Sequence, residues 1–250
     1  MKTLRLLFTF TAMLSTIFGN AEVKLPEGEI DPIYFYDTNG AVLNVGDVTD
    51  VLGRRCIVVR SNANQPGLVI SLEAVAPSTI EKGSSMNSSW VITNSNGSST
   101  GLRDHDSGLV NLFNLKRKLD VSLDYDMGHF YVFYACEKLG NGWYLPAINE
   151  LALLYNALGY NIPSDKNTQN DFDKKFKELI EANVEKNSRP EISNFASSTE
   201  FDRKKAYTFG LDKDGSYGHK DDKWMNYSKW GYRCILPAHL VKEVDGSTKQ

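Results

Sequence analysis

Residues 140–151 read GNGWYLPAINEL, and this stretch decides the fold that we predict for the chain. Two glycines permit the backbone angles of a tight turn, and Trp143 and Leu145 supply apolar surface to a short extended segment. Pro146 suits a first helical position because it has no amide hydrogen that would need a partner. We therefore predict a turn, an extended segment and a helix that Gly159 ends. The buried face of this helix carries apolar side chains at helical spacing: Ile148, Leu151, Ala152, Tyr155 and Leu158.

The first 21 residues have the pattern of a secretory signal peptide. Lys2 and Arg5 precede an apolar run from Leu6 to Phe18, and Gly19-Asn20-Ala21 offers small residues for cleavage. An uncleaved anchor is the alternative, but the run is shorter than the ~20 residues that span a bilayer, and no second run approaches that length. We therefore expect an exported chain without an integral membrane segment, placed in the periplasm, at the cell surface or outside the cell.

The charge balance argues against a nucleic-acid partner. The chain has 28 basic and 31 acidic side chains, and removal of Lys2 and Arg5 with the signal peptide leaves 26 basic ones and a net charge near −5. Phosphate backbones are held by clustered Lys and Arg, and the run 116–118 has the pattern of a solvated helix end. The length suits one domain, which we place at 31–240, between a polar segment at 22–30 and a flexible tail at 241–250.

The order of predicted elements is strands, helices, strands, which indicates an α+β domain with antiparallel sheet. Asp37–Gly40 and Asp212–Gly215 have hairpin-turn composition. Residues 76–106 are rich in Ser, Asn and Gly, and we expect a long loop there, with a disordered linker as the alternative. The predicted strands are Pro32–Tyr36, Ala41–Val45, Cys56–Arg60, Leu68–Leu72, Phe195–Glu200, Ala206–Leu211 and Gly231–Leu236.

The middle third is predicted to be helical. Apolar spacing indicates helices over Leu109–Lys116 and Met127–Cys136 before the central stretch. Thr168–Asp171 has the form of a capping box ahead of an amphipathic helix over Phe172–Val184, and Arg189-Pro190 would stop that helix.

Three cysteines in an exported chain indicate one disulfide and one remaining thiol, with three possible pairings. Cys136 ends a predicted helix, and Cys234 lies in the predicted terminal strand. Cys56 lies in the strand-like run Cys56–Val59, where we expect a buried free thiol.

Several segments, taken in order, resemble the Lcl C-terminal domain (Lcl_C) family of secreted bacterial modules, a family grouped with C-type-lectin-like and formylglycine-generating folds. Cys136–Leu151 resembles its central signature, and Phe195–Glu200 resembles its "aromatic-Trp-Ser-Ser-Thr" strand, although Ala196 stands where the family has Trp. The segment 159–191 is longer than usual. The similarity continues at Asp106–Asn111, Ala206–Phe209 and Tyr232–Cys234.

This resemblance implies a C-type-lectin-like fold, in which an antiparallel sheet is flanked by two or more helices and long loops. It also implies a disulfide between Cys136 and Cys234. Formylglycine-generating relatives use a reactive cysteine pair, but a reactive thiol needs an exposed, electropositive environment, which these positions do not suggest. Ser197-Ser198 lacks a nucleophile-elbow frame, and we expect a hydrogen-bonding role for it.

Two acidic clusters are candidate metal sites. Asp104-His105-Asp106 is one, and the other combines the turn Asp212–Gly215 with His219 and the pair Asp221-Asp222. Calcium takes six to eight oxygen ligands from flexible loops, so Asp212, Asp214, Asp221 and Asp222 are the candidate ligands. The full EF-hand pattern is absent, and a hairpin with solvated acids explains the same residues. We therefore expect no cofactor, with calcium as the option.

The aromatic loop before the last predicted strand is the stronger candidate site. Aromatic side chains on a polar loop stack on sugars or on partner surfaces, whereas core aromatics sit in periodic apolar runs. The alternative is that Trp224 and Trp230 attach a long loop to the core. The candidate ligand-binding residues are Tyr217, His219, Trp224, Tyr227 and Trp230.

These observations favour a non-enzymatic binding or adhesion module that recognises a carbohydrate or a cell-surface protein. A structural or assembly component of a bacterial surface or secreted complex is the second reading. A thiol or hydrolytic enzyme is the third.

Overall fold

The structure is a computed structural model with two antiparallel-rich sheets and four α-helices, so the predicted α+β class is confirmed. It describes residues 33–34, 43–62, 65–75, 100–120, 130–140, 142–190, 195–202, 204–212, 214–222 and 235–242. The strands are β1 (Ile33–Tyr34), β2 (Val48–Val51), β3 (Arg54–Asn62), β4 (Gln65–Ser71), β5 (Ala196–Glu200), β6 (Lys205–Leu211), β7 (Tyr217–Asp222) and β8 (Ala238–Lys242). The helices are α1 (Gly108–Asp120), α2 (Tyr131–Glu137), α3 (Ile148–Ala157) and α4 (Lys166–Asn183), followed by a short 3-10 helix, Lys186–Ser188.

The larger sheet brings the two ends of the domain together. Its strand order is β1-β8-β4-β3-β2. β2, β3, β4 and β8 pair antiparallel in turn, whereas β1 pairs with β8 in parallel. The pairing of Ile33 with Val241 therefore joins strands from opposite ends of the chain.

The smaller sheet has the order β5-β6-β7 and is built from two antiparallel hairpins. The turn predicted at Asp212–Gly215 is confirmed, because the Gly215 amide donates to the Asp212 carbonyl oxygen at 3.0 Å. Along β6, Lys205 and Tyr207 are partly exposed while Ala206 and Thr208 are buried. This alternation gives the sheet an inner and an outer face.

Helix α3 lies between the two sheets and contacts β3 of one and β5 and β6 of the other. Tyr155 of this helix stacks on Phe209 of β6, with 4.8 Å between ring centroids. Phe172 and Phe176 of α4 extend this aromatic cluster and are fully buried. Burial of a side chain of this size stabilises a fold by roughly 1.5–3 kcal/mol, so these rings dominate the core.

The central stretch at 140–151 connects the core to the larger sheet. Gly140 and Gly142 have φ of +70° and +83°, as a tight turn requires. The Tyr144 amide and carbonyl bond to Ala238 of β8 at 3.1 and 2.9 Å. Trp143 and Leu145 are buried on either side of it. Gly159 follows α3 with φ of +82°, the left-handed conformation expected at a helix stop.

Two predicted helix starts were wrong in position. Pro146 precedes α3, which begins at Ile148 after Ala147, because the Pro146 carbonyl instead accepts a hydrogen bond from the Ser198 amide at 2.8 Å. Helix α4 begins before the predicted capping box. Its N-cap is Asp165, whose carboxylate accepts from the Asn167 and Thr168 amides at 2.9 Å each.

Two predicted strands were also misplaced. Residues 43–45 of the predicted strand Ala41–Val45 are not in a strand, because the chain turns at Asn44, whose carbonyl accepts from the Asp47 amide. Ile235 and Leu236, from the predicted strand Gly231–Leu236, are also not in a strand, because β8 begins only after Pro237. β8 runs to Lys242, so its last two residues lie in the range that was predicted to be a flexible tail. The rest of the predicted strand Gly231–Leu236 lies outside the described residues.

The structure confirms one of the two predictions made for the cysteines. Cys56 is a buried free thiol, as predicted, and burial raises its pKa to about 12. Cys136 is also buried, which raises the pKa of its thiol; it shares a core cluster with Ile235 and forms no disulfide with another cysteine of the described residues. Cys234 lies outside the described residues, so its pairing with Cys136 stays a prediction.

No helix within the described part of the chain combines the length and apolarity that a membrane crossing requires.

The hairpin between β2 and β3 contains backbone strain that a substitution should relieve. Leu52 and Gly53 form its two-residue turn with φ of +51° and +77°, and Leu52 is 42% exposed. Asn-Gly is strongly preferred in such turns, while a leucine there is strained. We expect Leu52→Asn to raise the free energy of unfolding by about 1 kcal/mol, measured by urea denaturation.

The control for this substitution is Ile162→Asn, which removes an equally exposed apolar side chain at a position without positive φ. It should leave the free energy of unfolding nearly unchanged. An unchanged or lowered stability of the Leu52→Asn variant would show that the turn is not strained.

Candidate functional site

A buried polar frame holds residues 100–107 against strand β5. The Glu200 carboxylate accepts hydrogen bonds from the Thr100 amide at 2.6 Å, from the Thr100 hydroxyl and from the Gly101 amide at 3.2 Å. The Glu200 amide donates to the Leu102 carbonyl at 2.7 Å. Because Thr100, Leu102 and Glu200 are buried, the loss of one of their hydrogen bonds would leave an unsatisfied partner, so the frame fixes this segment.

The same frame fixes Asp104 from two sides. The buried Asn111 side chain of α1 accepts from the Asp104 amide at 3.1 Å and donates to its carbonyl at 2.8 Å. Thr199 of β5 donates to that carbonyl at 3.0 Å and accepts from the Ile148 amide at 3.1 Å. Ser198 also bonds to Asn111. The segment that carries His105 and Asp106 therefore has a defined position on the surface.

Glu150 joins the frame to the central stretch. Its carboxyl group is buried and accepts from the Gly108 amide at 2.9 Å, the Ala147 amide at 2.8 Å and the Tyr144 hydroxyl at 2.9 Å. Burial raises the pKa of Glu150 to about 7, although these hydrogen bonds and the charge of Arg60 act in the opposite direction. One carboxyl group thus holds the start of α1, the start of α3 and the Tyr144 ring.

Outside this frame, three rings lie in a row on the surface of the smaller sheet. The Tyr207 ring lies 5.2 Å from the His105 ring and 5.3 Å from the Phe201 ring, both edge to face. His105 is exposed, Tyr207 is partly exposed and Phe201 is 39% exposed. Lys220 places its ammonium group 5.1 Å from the Phe201 ring centroid. We call His105, Tyr207 and Phe201 the aromatic row.

The strands and a glycine position this row. Tyr207 points away from the core on β6, opposite Lys220 of β7. Gly218 of β7 has φ of +89°, and a Cβ atom there would lie 2.8 Å from the Tyr207 ring, so only glycine leaves room for the ring. Buried Glu200 ends β5 directly before Phe201. The row is therefore supported by rigid elements.

Polar groups border the aromatic row at its His105 end. The Asn149 side-chain amide donates to the Asp106 carboxylate at 2.7 Å, and both residues are exposed. The Asn149 backbone amide donates to the His105 carbonyl at 2.9 Å. The Asn149 amide group and the Asp106 carboxylate are held in these positions, where they can donate and accept hydrogen bonds beside the rings.

The residues predicted as the ligand site have a different arrangement. Tyr217 packs edge to face on Tyr155 and Phe209, and its hydroxyl donates to the Ile148 carbonyl at 2.9 Å, which is a structural role. His219 is partly buried with Nδ1 3.5 Å from the Asp212 carboxylate. Trp224, Tyr227 and Trp230 lie outside the described residues, so their role stays a prediction.

Two acidic residues of the calcium hypothesis, Asp212 and Asp214, have protein partners. Asp212 bonds to the Lys220 ammonium group at 3.2 Å, which raises the pKa of that lysine. Asp214 accepts from the Ser216 amide and hydroxyl, and its pKa is lowered by these bonds. The side chains of Asp221 and Asp222 lie outside the described residues.

Within the described ranges, no group of three or more His, Cys, Asp or Glu side chains is arranged to hold a metal ion. In the other predicted cluster, the Asp104 carboxylate accepts from the Asp106 and Ser107 amides at 2.9 and 2.8 Å. Calcium binding by Asp212, Asp214, Asp221 and Asp222 therefore stays a prediction.

Ser197 and Ser198 have the hydrogen-bonding role predicted for them. Both are fully buried, and Ser197 donates to the Tyr207 carbonyl at 2.7 Å. Sequence reasoning missed Phe201 and Tyr207 as surface aromatics. The available signal was the alternation along β6, in which Tyr207 shares a face with Lys205 and not with Ala206.

Comparison with known proteins gives no match: no family model, no curated protein and no solved structure is similar to this chain. We therefore infer the function from the geometry of the described residues.

The buried Glu150 carboxyl group should make stability depend on pH. In the unfolded chain this group loses its proton near its ordinary pKa of 4.5, whereas the folded protein keeps the proton up to about pH 7. The Glu150 contribution to the free energy of unfolding should therefore be largest below pH 4.5 and fall by about 3 kcal/mol as pH rises to 7.

Glu150→Gln keeps the shape of the protonated group and does not titrate. Urea denaturation of both proteins between pH 4.5 and 8 should show the variant gaining stability relative to the wild type as pH rises. Profiles that stay parallel over this range would contradict a buried, proton-retaining carboxyl group.

Proposed function

We propose that this protein is an exported carbohydrate-binding module in which the aromatic row contacts the sugar. The observation that carries the proposal is the row itself: three surface rings whose centroids lie 5.2 and 5.3 Å apart, with Tyr207 on strand β6. Exposed aromatic side chains cost hydration free energy, and a partner that covers them recovers it. Their fixed positions also reduce the conformational entropy lost on binding.

A sugar suits this surface because its rings have apolar C–H faces and polar edges. The C–H faces can pack on Tyr207 and Phe201, while hydroxyl groups can exchange hydrogen bonds with Asp106 and Asn149 at the border. A shallow, mixed surface of this kind differs from the enclosed apolar pockets that hold most small apolar ligands.

The proposal includes a C-type-lectin-like fold and membership of the Lcl C-terminal domain family. Two observations support these assignments. The first and last described strands, β1 and β8, are neighbours in one sheet, and the family-like stretch at 140–151 is the buried link to β8 through Tyr144. The N-terminal signal-peptide pattern supports export.

Tyr207 is the residue whose removal tests this proposal. A glycan array identifies a bound saccharide, and calorimetry then measures its affinity for the wild type and for Tyr207→Ala. We expect the variant to bind at least tenfold more weakly, since a central aromatic contact contributes over 1 kcal/mol.

Tyr160→Ala is the matched control, because Tyr160 is also partly exposed beside a lysine, at 5.4 Å from Lys175, but lies outside the row. It should bind like the wild type. Absence of binding to every glycan, with capture of a protein partner instead, would replace this proposal with the assembly reading. Equal losses in both variants would show that the row is not the site.

A further inference from the structure

We propose that the aromatic row binds acidic saccharides, whose carboxylate or sulfate groups are met by a basic turn between β5 and β6. This inference rests on the proposed carbohydrate-binding function and specifies its ligand class. Residues 203–205 read Arg-Lys-Lys, in a chain whose overall charge is −3. This turn therefore has a local excess of positive charge, although the net charge of the whole chain is negative.

The turn places its lysines beside the exposed end of the row. The Phe201 amide donates to the Lys205 carbonyl at 3.0 Å, which closes the turn directly next to the Phe201 ring. Lys205 lies two residues before Tyr207 on β6, and both are partly exposed on the outer face. Lys204 is exposed and lies in the same turn. Both lysines thus lie within a few residues of two rings of the row.

Arg103 adds charge from the neighbouring segment. Its side chain is 64% exposed, and its Nε atom lies 3.8 Å from the buried carboxylate of Glu200, the residue before Phe201. Lys220 contributes less to ligand charge because it already bonds to Asp212 at 3.2 Å. The main cations available to a ligand at the turn are therefore Lys204 and Lys205, and Glu200 offsets part of the Arg103 charge.

Two acids near this turn, Asp202 and Glu200, accept hydrogen bonds from backbone amides. Asp202 accepts from the Lys204 and Lys205 amides at 2.7 and 2.8 Å, so its carboxylate stabilises the turn. Glu200 accepts from Thr100 and Gly101 and is buried. These hydrogen bonds orient both carboxylates toward backbone groups. Asp222, the cross-strand neighbour of Lys205, has a side chain outside the described residues.

A cationic turn beside aromatic rings matches the chemistry of an acidic sugar, in which one ring offers both a C–H face and an anionic group. Lysine provides a flexible point charge that tolerates several positions of that group. Attraction between exposed charges is screened by salt, so binding should weaken as ionic strength rises. An anionic lipid surface would also attract lysines beside an exposed phenylalanine. The experiment must therefore distinguish binding to an acidic saccharide from binding to an anionic membrane.

The experiment uses an array of acidic polysaccharides, each paired with its neutral form: oligogalacturonates with their methyl esters, and sulfated glycosaminoglycan fragments with desulfated ones. We expect the acidic member of a pair to bind at least tenfold more tightly and to lose affinity severalfold between 50 and 300 mM NaCl. The double variant Lys204→Gln/Lys205→Gln should lose about tenfold toward the acidic member and nothing toward the neutral one.

Lys174→Gln/Lys177→Gln on the exposed face of α4 is the charge-matched control and should bind like the wild type. Equal affinity for acidic and neutral members, unaffected by either double variant, would overturn this inference and leave the carbohydrate proposal standing. Failure to bind any saccharide would overturn both. Binding to vesicles with anionic phospholipid, without saccharide binding, would also overturn both and assign the turn to a membrane surface.

Discussion

The rest of the structure depends on one buried carboxyl group, that of Glu150. It accepts hydrogen bonds from the first residue of α1, from the residue before α3 and from the Tyr144 hydroxyl. Gly108 shows how closely these segments meet, because a Cβ atom there would lie 2.1 Å from the Leu145 carbonyl oxygen. A buried polar group of this kind is costly unless all its partners are present, so it selects a single arrangement of the three segments.

That arrangement carries the surface on which function is proposed. With α1 and α3 fixed, Asn111, Thr199 and Ile148 can position the Asp104 backbone, and the next residue is His105. Strand β6 then supplies Tyr207 and the end of β5 supplies Phe201. The aromatic row is thus built from two distant parts of the chain, and the buried frame determines the distance between them.

The sequence predicted what local chemistry determines. The apolar spacing at Ile148–Leu158 and the Asp-Lys-Asp-Gly turn gave a helix and a hairpin close to those observed. Pairing between distant segments was not predictable in this way, and the parallel contact between β1 and β8 has no local signal. The helix start at α4 was misassigned because Asp165 and Thr168 are both good capping residues, and local preference does not choose between them.

The candidate site also depends on contacts between distant segments, which have no local sequence signal. His105 was noticed only as a possible metal ligand and Tyr207 only as part of a strand motif, and Phe201 belonged to no predicted motif, because nothing local brings residues about 100 positions apart together. Conversely, Tyr217 has the composition of a ligand contact, yet its ring packs on Tyr155 in the core. Burial of an aromatic side chain near a polar loop depends on tertiary packing, which residue type alone does not reveal.

The most direct test of the central claim is chemical-shift mapping with protein carrying 13C-labelled aromatic side chains, titrated with the tightest-binding saccharide. The account predicts that ring signals of His105, Tyr207 and Phe201 shift in a saturable way while those of the core rings Tyr155 and Phe172 stay in place. Shifts confined to the tryptophan signals, with the aromatic row unaffected, would contradict it and return the site to the loop at 224–230.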